Sequence, residues 1–308
     1  IRDRLLILTR HTTHPVPSQR LLRARSRPGK ISCRSQSVQV RRTMEFTSVG
    51  MRNRITDLFQ AKTENILSIF YTAGFPELDD TVEIAETLSM AGVDMIELGM
   101  PFSDPIADGP VIQKSYMAAL QNGMTVSTLL AQVKEIRKEV QVPILLMGYL
   151  NPVLQFGIEK FCKEASVAGV DGVIIPDMPL REYELEYASL FATNNLHVVF
   201  LITPTSSEER IRQVDKMSGG FIYAVSSHAT TGEQFGISPE GQLYLSRLQT
   251  MNLKNKILVG FGISNREMFD QVCRTGAGAI VGSAFLSVVG GGGDRKERII
   301  SFMNAFRG

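Results

Sequence analysis

From Asn53 onward the chain alternates between two kinds of segment. Short apolar, often β-branched runs stand at 66–74 (ILSIFYTAG), 94–100 (DMIELGM), 142–149 (VPILLMGY), 172–177 (GVIIPD), 197–203 (HVVFLIT), 220–226 (GFIYAVS), 256–262 (KILVGFG) and 278–283 (GAIVGS). Most are continuous rather than alternating in polarity, which is how a strand reads when helices cover one face and a packed centre covers the other. Between them the apolar residues recur at helical spacing. In 78–92 (LDDTVEIAETLSMAG) the apolar set Val82, Ile84, Ala85, Leu88 and Met90 ends at Gly92, a helix stop. In 206–220 (SSEERIRQVDKMSGG) Ser207 is the expected N-cap, acids fill the first turn, Lys216 comes late and Gly219 is the expected stop.

Eight strand–helix units in about 250 residues match the (β/α)8, or TIM, barrel in count and size, an α/β fold of one domain. An open doubly wound sheet would carry a G-x-G-x-x-G turn after its first strand. YTAGFPELDD has none, and the glycine-rich turns follow the last three strands instead. The expected organisation is a barrel over 51–308 behind a segment, 1–50, of different character.

At 308 residues and 44% hydrophobic, the chain can bury a full core without staples. Its net charge of +2 conceals a division. Residues 1–43 hold eleven Arg/Lys and one acid, Asp3, leaving 22 basic and 30 acidic residues beyond them. This Arg/Ser/Thr-rich start lacks apolar periodicity and reads as a disordered basic extension. It suits a transit peptide, a nucleic-acid-binding tail, or translation from upstream of the true start. Met44 and Met51, standing just before the patterned sequence, favour the last. No apolar run reaches the roughly 18 residues that cross a bilayer. The expectation is a soluble protein, cytoplasmic, or of the plastid stroma if 1–50 is a transit peptide. Cys33, Cys162 and Cys273 show neither disulfide nor metal-ligand spacing, so no metal is expected. Cys162 and Cys273 read as buried thiols, and GGGG at 290–293 as a flexible joint.

Barrel sites form at the C-terminal ends of the strands. There the stretch 95–110 (MIELGMPFSDPIADGP) ends a buried run on Glu97 and adds Asp104 and Asp108 among prolines and glycines. A carboxylate held among Met95, Ile96 and Leu98 has lost water. That disfavours its ionised form and moves its pKa toward neutrality, where it can give and take protons. Asp108, on a Pro/Gly-bounded loop, should ionise more readily and stabilise positive charge. The competing reading is a satisfied structural acid. Asp177 ends the fourth strand and Tyr223 lies in the sixth. The other side is glycine-rich: Gly260, Gly262, Gly282 and Ser283 follow the seventh and eighth strands, where backbone amides and a helix N-terminus can hold phosphate. Tight turns alone are the plainer account of these glycines.

The run ELGMPFSDPIADGPVIQ, together with MGYLNPV, GVDGVIIPDMP, GFIYAVS, VGFGIS and GAIVGSA, resembles the signature of the tryptophan synthase alpha chain family, over about 53–308. The resemblance implies a carbon–carbon lyase that cleaves indole-3-glycerol phosphate in a retro-aldol reaction to indole and glyceraldehyde 3-phosphate. It implies no cofactor in this chain, pyridoxal phosphate belonging to a beta-chain partner in an alpha2beta2 heterotetramer, and no nucleic-acid or membrane partner. Glu97 would be the general acid/base, Asp108 would accept the indole N–H, and Tyr223 would stand near the reacting carbons. Phe70 and Ile174 would line the indole slot; Gly232, Gly262, Gly282 and Ser283 would hold phosphate; Pro101, Asp104 and Pro105 would face the partner.

One stretch departs from the family pattern. Where S-x-x-G-V-T-G is common, this chain has SSHATTG, with Ala229 and Thr230 substituted and Thr231 and Gly232 kept. The change bears on lid closure rather than on chemistry, and His228 reads as a solvated loop residue. Three rivals stand beside the beta-coupled enzyme: a stand-alone lyase that releases free indole, another sugar-phosphate barrel enzyme such as an epimerase or isomerase, and a catalytically silent activator. The presence of Glu97, Asp108 and Tyr223 disfavours the last.

Overall fold

The computed structural model describes residues 51–225, 238–260 and 262–307. The expectations placed on 1–50, His228, Ala229, Thr230, Thr231 and Gly232 lie outside these residues. Eight parallel strands are present among the described residues: β1 (Ile66–Thr72), β2 (Met95–Gly99), β3 (Ile144–Met147), β4 (Gly172–Ile174), β5 (His197–Val199, continuing as Leu201–Ile202), β6 (Phe221–Val225), β7 (Lys256–Gly260) and β8 (Gly278–Val281). The first piece of β5 pairs with β4 and the second with β6, while the Phe200 carbonyl between them accepts from Tyr223 N at 3.1 Å. With β1 flanked by β2 and β8, the ladder closes into the TIM barrel that the pattern predicts.

Every expected strand is there, and those at 66–74, 94–100, 142–149, 172–177, 197–203 and 278–283 stop short at the C-terminal end, where the chain leaves the ladder to build loops. Gly74 and Gly262, at φ +78° and +71°, take left-handed backbone just past β1 and β7. Helices lie between the strands, with Ile84, Ala85 and Leu88 of Asp80–Met90 buried as the spacing predicts, Val82 partly buried, and Met90, at the helix's last turn, exposed instead. Ser207 caps the helix Glu208–Met217 by accepting from Arg210 N at 3.2 Å. The expected stop at Gly219 is displaced. The C-cap is Ser218, the left-handed residue is Gly220, and Gly219 is small because a β-carbon there would strike the buried His197 ring.

The N-terminal end of the barrel is sealed. Asn53 caps the helix Arg54–Ala61, accepting from Ile55 N at 3.0 Å and donating to the Asp171 carbonyl at 2.7 Å. Ile55 is thereby pressed among the strand starts, and β-carbons on Gly172 or Gly220 would lie 3.0 or 2.5 Å from it. Beside it the buried Asp171 carboxylate pairs with Arg54 and Arg137 and accepts from Ile144 N at 2.9 Å, an ion group whose partners offset its desolvation.

The tetraglycine is held rather than loose. Arg298 donates to the Gly292 and Gly293 carbonyls, each at 2.6 Å, at the start of the helix Arg295–Arg307. Cys162 is buried as expected and Cys273 only half-buried. Among the described residues no helix is long and apolar enough to cross a membrane.

Candidate active site

Glu97 stands in the middle of β2, fully buried, in register with Phe70 of β1. Ser68, two residues before Phe70 and on the same strand face, donates its hydroxyl to Glu97 Oε1 at 2.8 Å. Oε2 is buried with no hydrogen-bond partner among the described residues. Burial pushes the carboxyl up to about 8, with the Ser68 hydrogen bond pulling the other way. At neutral pH Glu97 is therefore a protonated acid with one free oxygen.

Asp108 is set by its loop. Its N–H donates to the Pro105 carbonyl at 3.1 Å, and its own carbonyl accepts from Gln113 Nε2 at 2.8 Å. Tyr149, just past β3, donates its phenol to Asp108 Oδ2 at 2.6 Å and accepts the Ala107 N–H at 3.0 Å. Burial pushes the Asp108 carboxyl up and this hydrogen bond draws it down. The sequence led us to expect an acid kept ionised by an open loop; its ionised form is supported by a tyrosine instead.

The Tyr223 phenol is buried, and both Glu97 and Asp108 raise its pKa further, which places it within electrostatic reach of both carboxyls as a neutral hydroxyl. Phe70, Asp108, Ile112, Met147, Tyr223 and Ile280 line a cavity of about 210 Å³ that also takes in Gly109, Gly262, Gly282 and Ser283. The cavity joins an apolar, ring-sized wall to the glycine turns. Ser283 opens the helix Ser283–Val289, whose N-cap, Gly282, makes no side-chain capping bond. Its first amides are thus available to an anion. Gly282 also clears space for Phe70, whose ring a β-carbon would crowd at 3.2 Å.

Six of the expected residues, Phe70, Asp108, Tyr223, Gly262, Gly282 and Ser283, meet at this cavity; Glu97 is not itself in the lining and stands behind it, in register with Phe70 on the neighbouring strand. Ile174 does not share it: fully buried in β4, it pairs in register with Met147, and Met147 is the residue in the lining. Asp177 is exposed and accepts from Leu150 N at 2.8 Å, capping the helix Leu150–Phe156. Of the expected partner-facing residues, Asp104 is exposed and Pro101 half-buried, whereas Pro105 is buried beneath the loop. Pro101 and Asp104 border an open groove of about 500 Å³ with Val126, Pro152 and Phe156, and the neighbouring Ile106 is 88% exposed. Ser68, Tyr149, Ile112, Met147 and Ile280 had no role in the sequence reading. A hydroxyl inside the apolar run ILSIFYT, and a tyrosine inside MGYLNPV, were the available signals for the first two.

A closed (β/α)8 barrel with an apolar, glycine-rimmed cavity, Asp108 in its lining and the buried Glu97 in register with Phe70 of its wall, is the frame of an aldolase-type carbon–carbon lyase. The family model for the tryptophan synthase alpha chain matches residues 57–307. A tryptophan synthase alpha chain from Parabacteroides distasonis is 48% identical over 83% of this chain and 99% of its own length, and one from Flavobacterium johnsoniae is 50% identical over 79% and 96%. The solved alpha chain of Legionella pneumophila superposes with a TM-score of 0.75 at 31% identity, over 83% of this chain and 96% of that one. The tryptophan synthase complex from Pyrococcus furiosus gives 0.73 at 33%, over 80% and 99%. The chain belongs to the tryptophan synthase alpha chain family, whose reaction in tryptophan biosynthesis is the retro-aldol cleavage of indole-3-glycerol phosphate to indole and glyceraldehyde 3-phosphate.

Proposed function

We propose that this chain carries out the cleavage with Glu97 as its proton carrier and Asp108 as its charge stabiliser. The observation that carries the reading is the buried, unpartnered Oε2 of a carboxyl that is protonated at neutral pH. Glu97 gives its proton to indole C3, leaving a positive charge spread toward the ring nitrogen. Asp108 accepts the ring N–H and stabilises that charge. The carbon–carbon bond to the glycerol side chain then breaks, and its electrons restore the aromatic indole. The hydroxyl on the departing carbon becomes the aldehyde, and its proton returns to Glu97, so the carboxyl ends as it began. Tyr223 bounds the reacting carbons, and Phe70 packs on the indole with Met147 and Ile280. Amides at Gly262, Gly282 and Ser283 hold the phosphate. Proton transfers of this kind lie within the reach of side chains alone, and pyridoxal phosphate belongs to a beta-chain partner.

In the Pyrococcus furiosus structure the related chain is part of a tryptophan synthase complex. We assign a complex to this chain too, an alpha2beta2 heterotetramer with a beta chain, with the groove beside Asp104 and the exposed Ile106 as the docking face. Residues 51–308 are the catalytic domain and 1–50 are dispensable to it; a cytoplasmic setting suits the reaction. Indole release by purified protein tests the reading. Glu97→Gln should abolish turnover while retaining substrate binding, and Asp108→Asn should lower kcat at least about a hundredfold. Near-normal indole release by Glu97→Gln would overturn it. Adding a beta chain should raise the rate, and Asp104→Ala should remove much of that gain; an equal rate without the partner would make the protein a stand-alone lyase.

A further inference from the structure

We infer that Ser68 is a positioning residue for the cleavage: by holding Glu97 Oε1 it confines the transferable proton to Oε2. The inference rests on the reading of Glu97 as the proton carrier. A carboxyl has two oxygens, and only the one facing substrate can deliver a proton. In this barrel the choice between them is made by a single hydroxyl. Ser68 and Glu97 lie on adjacent strands with side chains fully buried, and the Ser68 Oγ to Oε1 distance is 2.8 Å. The residues in register with Ser68 are Met95 on one side and Ile280 on the other, neither of which can take its proton as an amide or carboxylate would.

The geometry serves both states of Glu97. As a carboxylate, it accepts from Ser68 at Oε1. Protonated on Oε2, it keeps Oε1 as a carbonyl oxygen, which accepts the same hydrogen bond. Protonated on Oε1 instead, it would donate to the Ser68 oxygen, whose own proton would have to turn away from the one acceptor it has among the described residues and be left buried without a partner. The proton therefore sits on Oε2 before it moves and returns there afterward, without rotation of the carboxyl. Burial opposes the Glu97 charge and the Ser68 hydrogen bond eases it, so the serine also sets where the acid titrates.

The test is the pH profile of kcat/KM for indole release. Turnover needs the protonated acid, so activity falls on the alkaline side as Glu97 ionises. Ser68→Ala should move that limb up by about one unit and lower kcat about tenfold at neutral pH, with KM little changed. Thr and Val have the same shape, so Ser68→Thr should keep the wild-type limb while Ser68→Val behaves like Ser68→Ala; agreement between the Thr and Val variants would overturn the proposal. Infrared titration of the Glu97 carboxyl band, assigned by its absence in Glu97→Gln, gives a readout free of turnover. It should shift upward in Ser68→Ala, and an unmoved band would also overturn it. If Glu97→Gln turns over normally, the role of Glu97 fails and this one with it. If Glu97→Gln is inactive and Ser68→Ala keeps the wild-type limb, the Ser68 inference alone is wrong.

Discussion

Gly260 and Tyr223 occupy space that only one of them can fill: a β-carbon on Gly260 would fall on the phenol oxygen of Tyr223. The two are neighbours on adjoining strands of the barrel wall, Val225 pairing with Gly260 and Tyr223 with Leu258. The glycine at the end of β7 is thus the socket for a side chain in β6. Gly260→Ala should push the phenol out of the cavity, lowering kcat more than about tenfold, with an overpacking cost of about 1–3 kcal/mol. Steady-state kinetics and a thermal melt check both; an unchanged kcat would mean that the position of Tyr223 has no part in turnover.

Glu97 should cost the protein stability as well as serve it. Its folded pKa of about 8 lies above the ordinary value of 4.5, so the native state binds the proton more tightly than the unfolded chain. The associated stability is fully present below about pH 4.5 and is lost progressively as pH rises to about 8, a change on the order of 5 kcal/mol. Glu97→Gln removes the ionisation. It should melt several degrees above wild type at pH 8.5, with the gap closing toward pH 4.5. A gap that is constant with pH would place the titration elsewhere.

The strands and Glu97 were legible for the same reason. A continuous apolar run interrupted by one charge marks a strand whose carboxyl is buried, and the surroundings of that carboxyl can be read from its immediate neighbours. The rest depended on distant pairs. Nothing near Asp108 in the sequence points to Tyr149, 41 positions away, and a serine in a strand is compatible with almost any environment. Ile174 and Met147 are equally apolar at equivalent strand ends, so only the register of the closed barrel decides which one meets the cavity. GGGG reads as a loose joint until Arg298, five residues beyond it, is seen to hold its carbonyls.

Tyr149→Phe isolates the support given to Asp108. The phenol hydrogen bond favours the carboxylate, so its loss should raise the Asp108 pKa and move the acid limb of kcat/KM to higher pH. The Ala107 amide loses its acceptor too, so the loop should loosen and KM should rise. An acid limb unchanged in Tyr149→Phe would show that Asp108 is held by other contacts.

His197 gives a pH dependence of opposite sign. Its ring is buried with neither nitrogen partnered among the described residues, and burial lowers its pKa from 6.5 to about 4. Stability from the neutral ring is complete above about pH 6.5 and is lost as pH falls through about 4, on the order of 3 kcal/mol. Between pH 4.5 and 6.5 this loss runs against the gain from Glu97, so wild type should show little net slope from the pair. His197→Leu should unmask it: relative to wild type, its denaturation midpoint should rise on acidification across that window. Parallel curves for the two proteins would rule the histidine out.

Ile55 makes the barrel a cup rather than a tube. Among the described residues this buried side chain fills the floor between Gly172 and Gly220, at the end of the barrel opposite the cavity. Substrate and both products share one rim, and the Asp104 loop forms part of that rim. Traffic through one mouth is ordered: the last product must clear it before the next substrate can settle, and on the proposed docking beside Asp104 a partner would stand at that exit. The floor, meanwhile, is free to be rebuilt for endurance without touching the exchange above it.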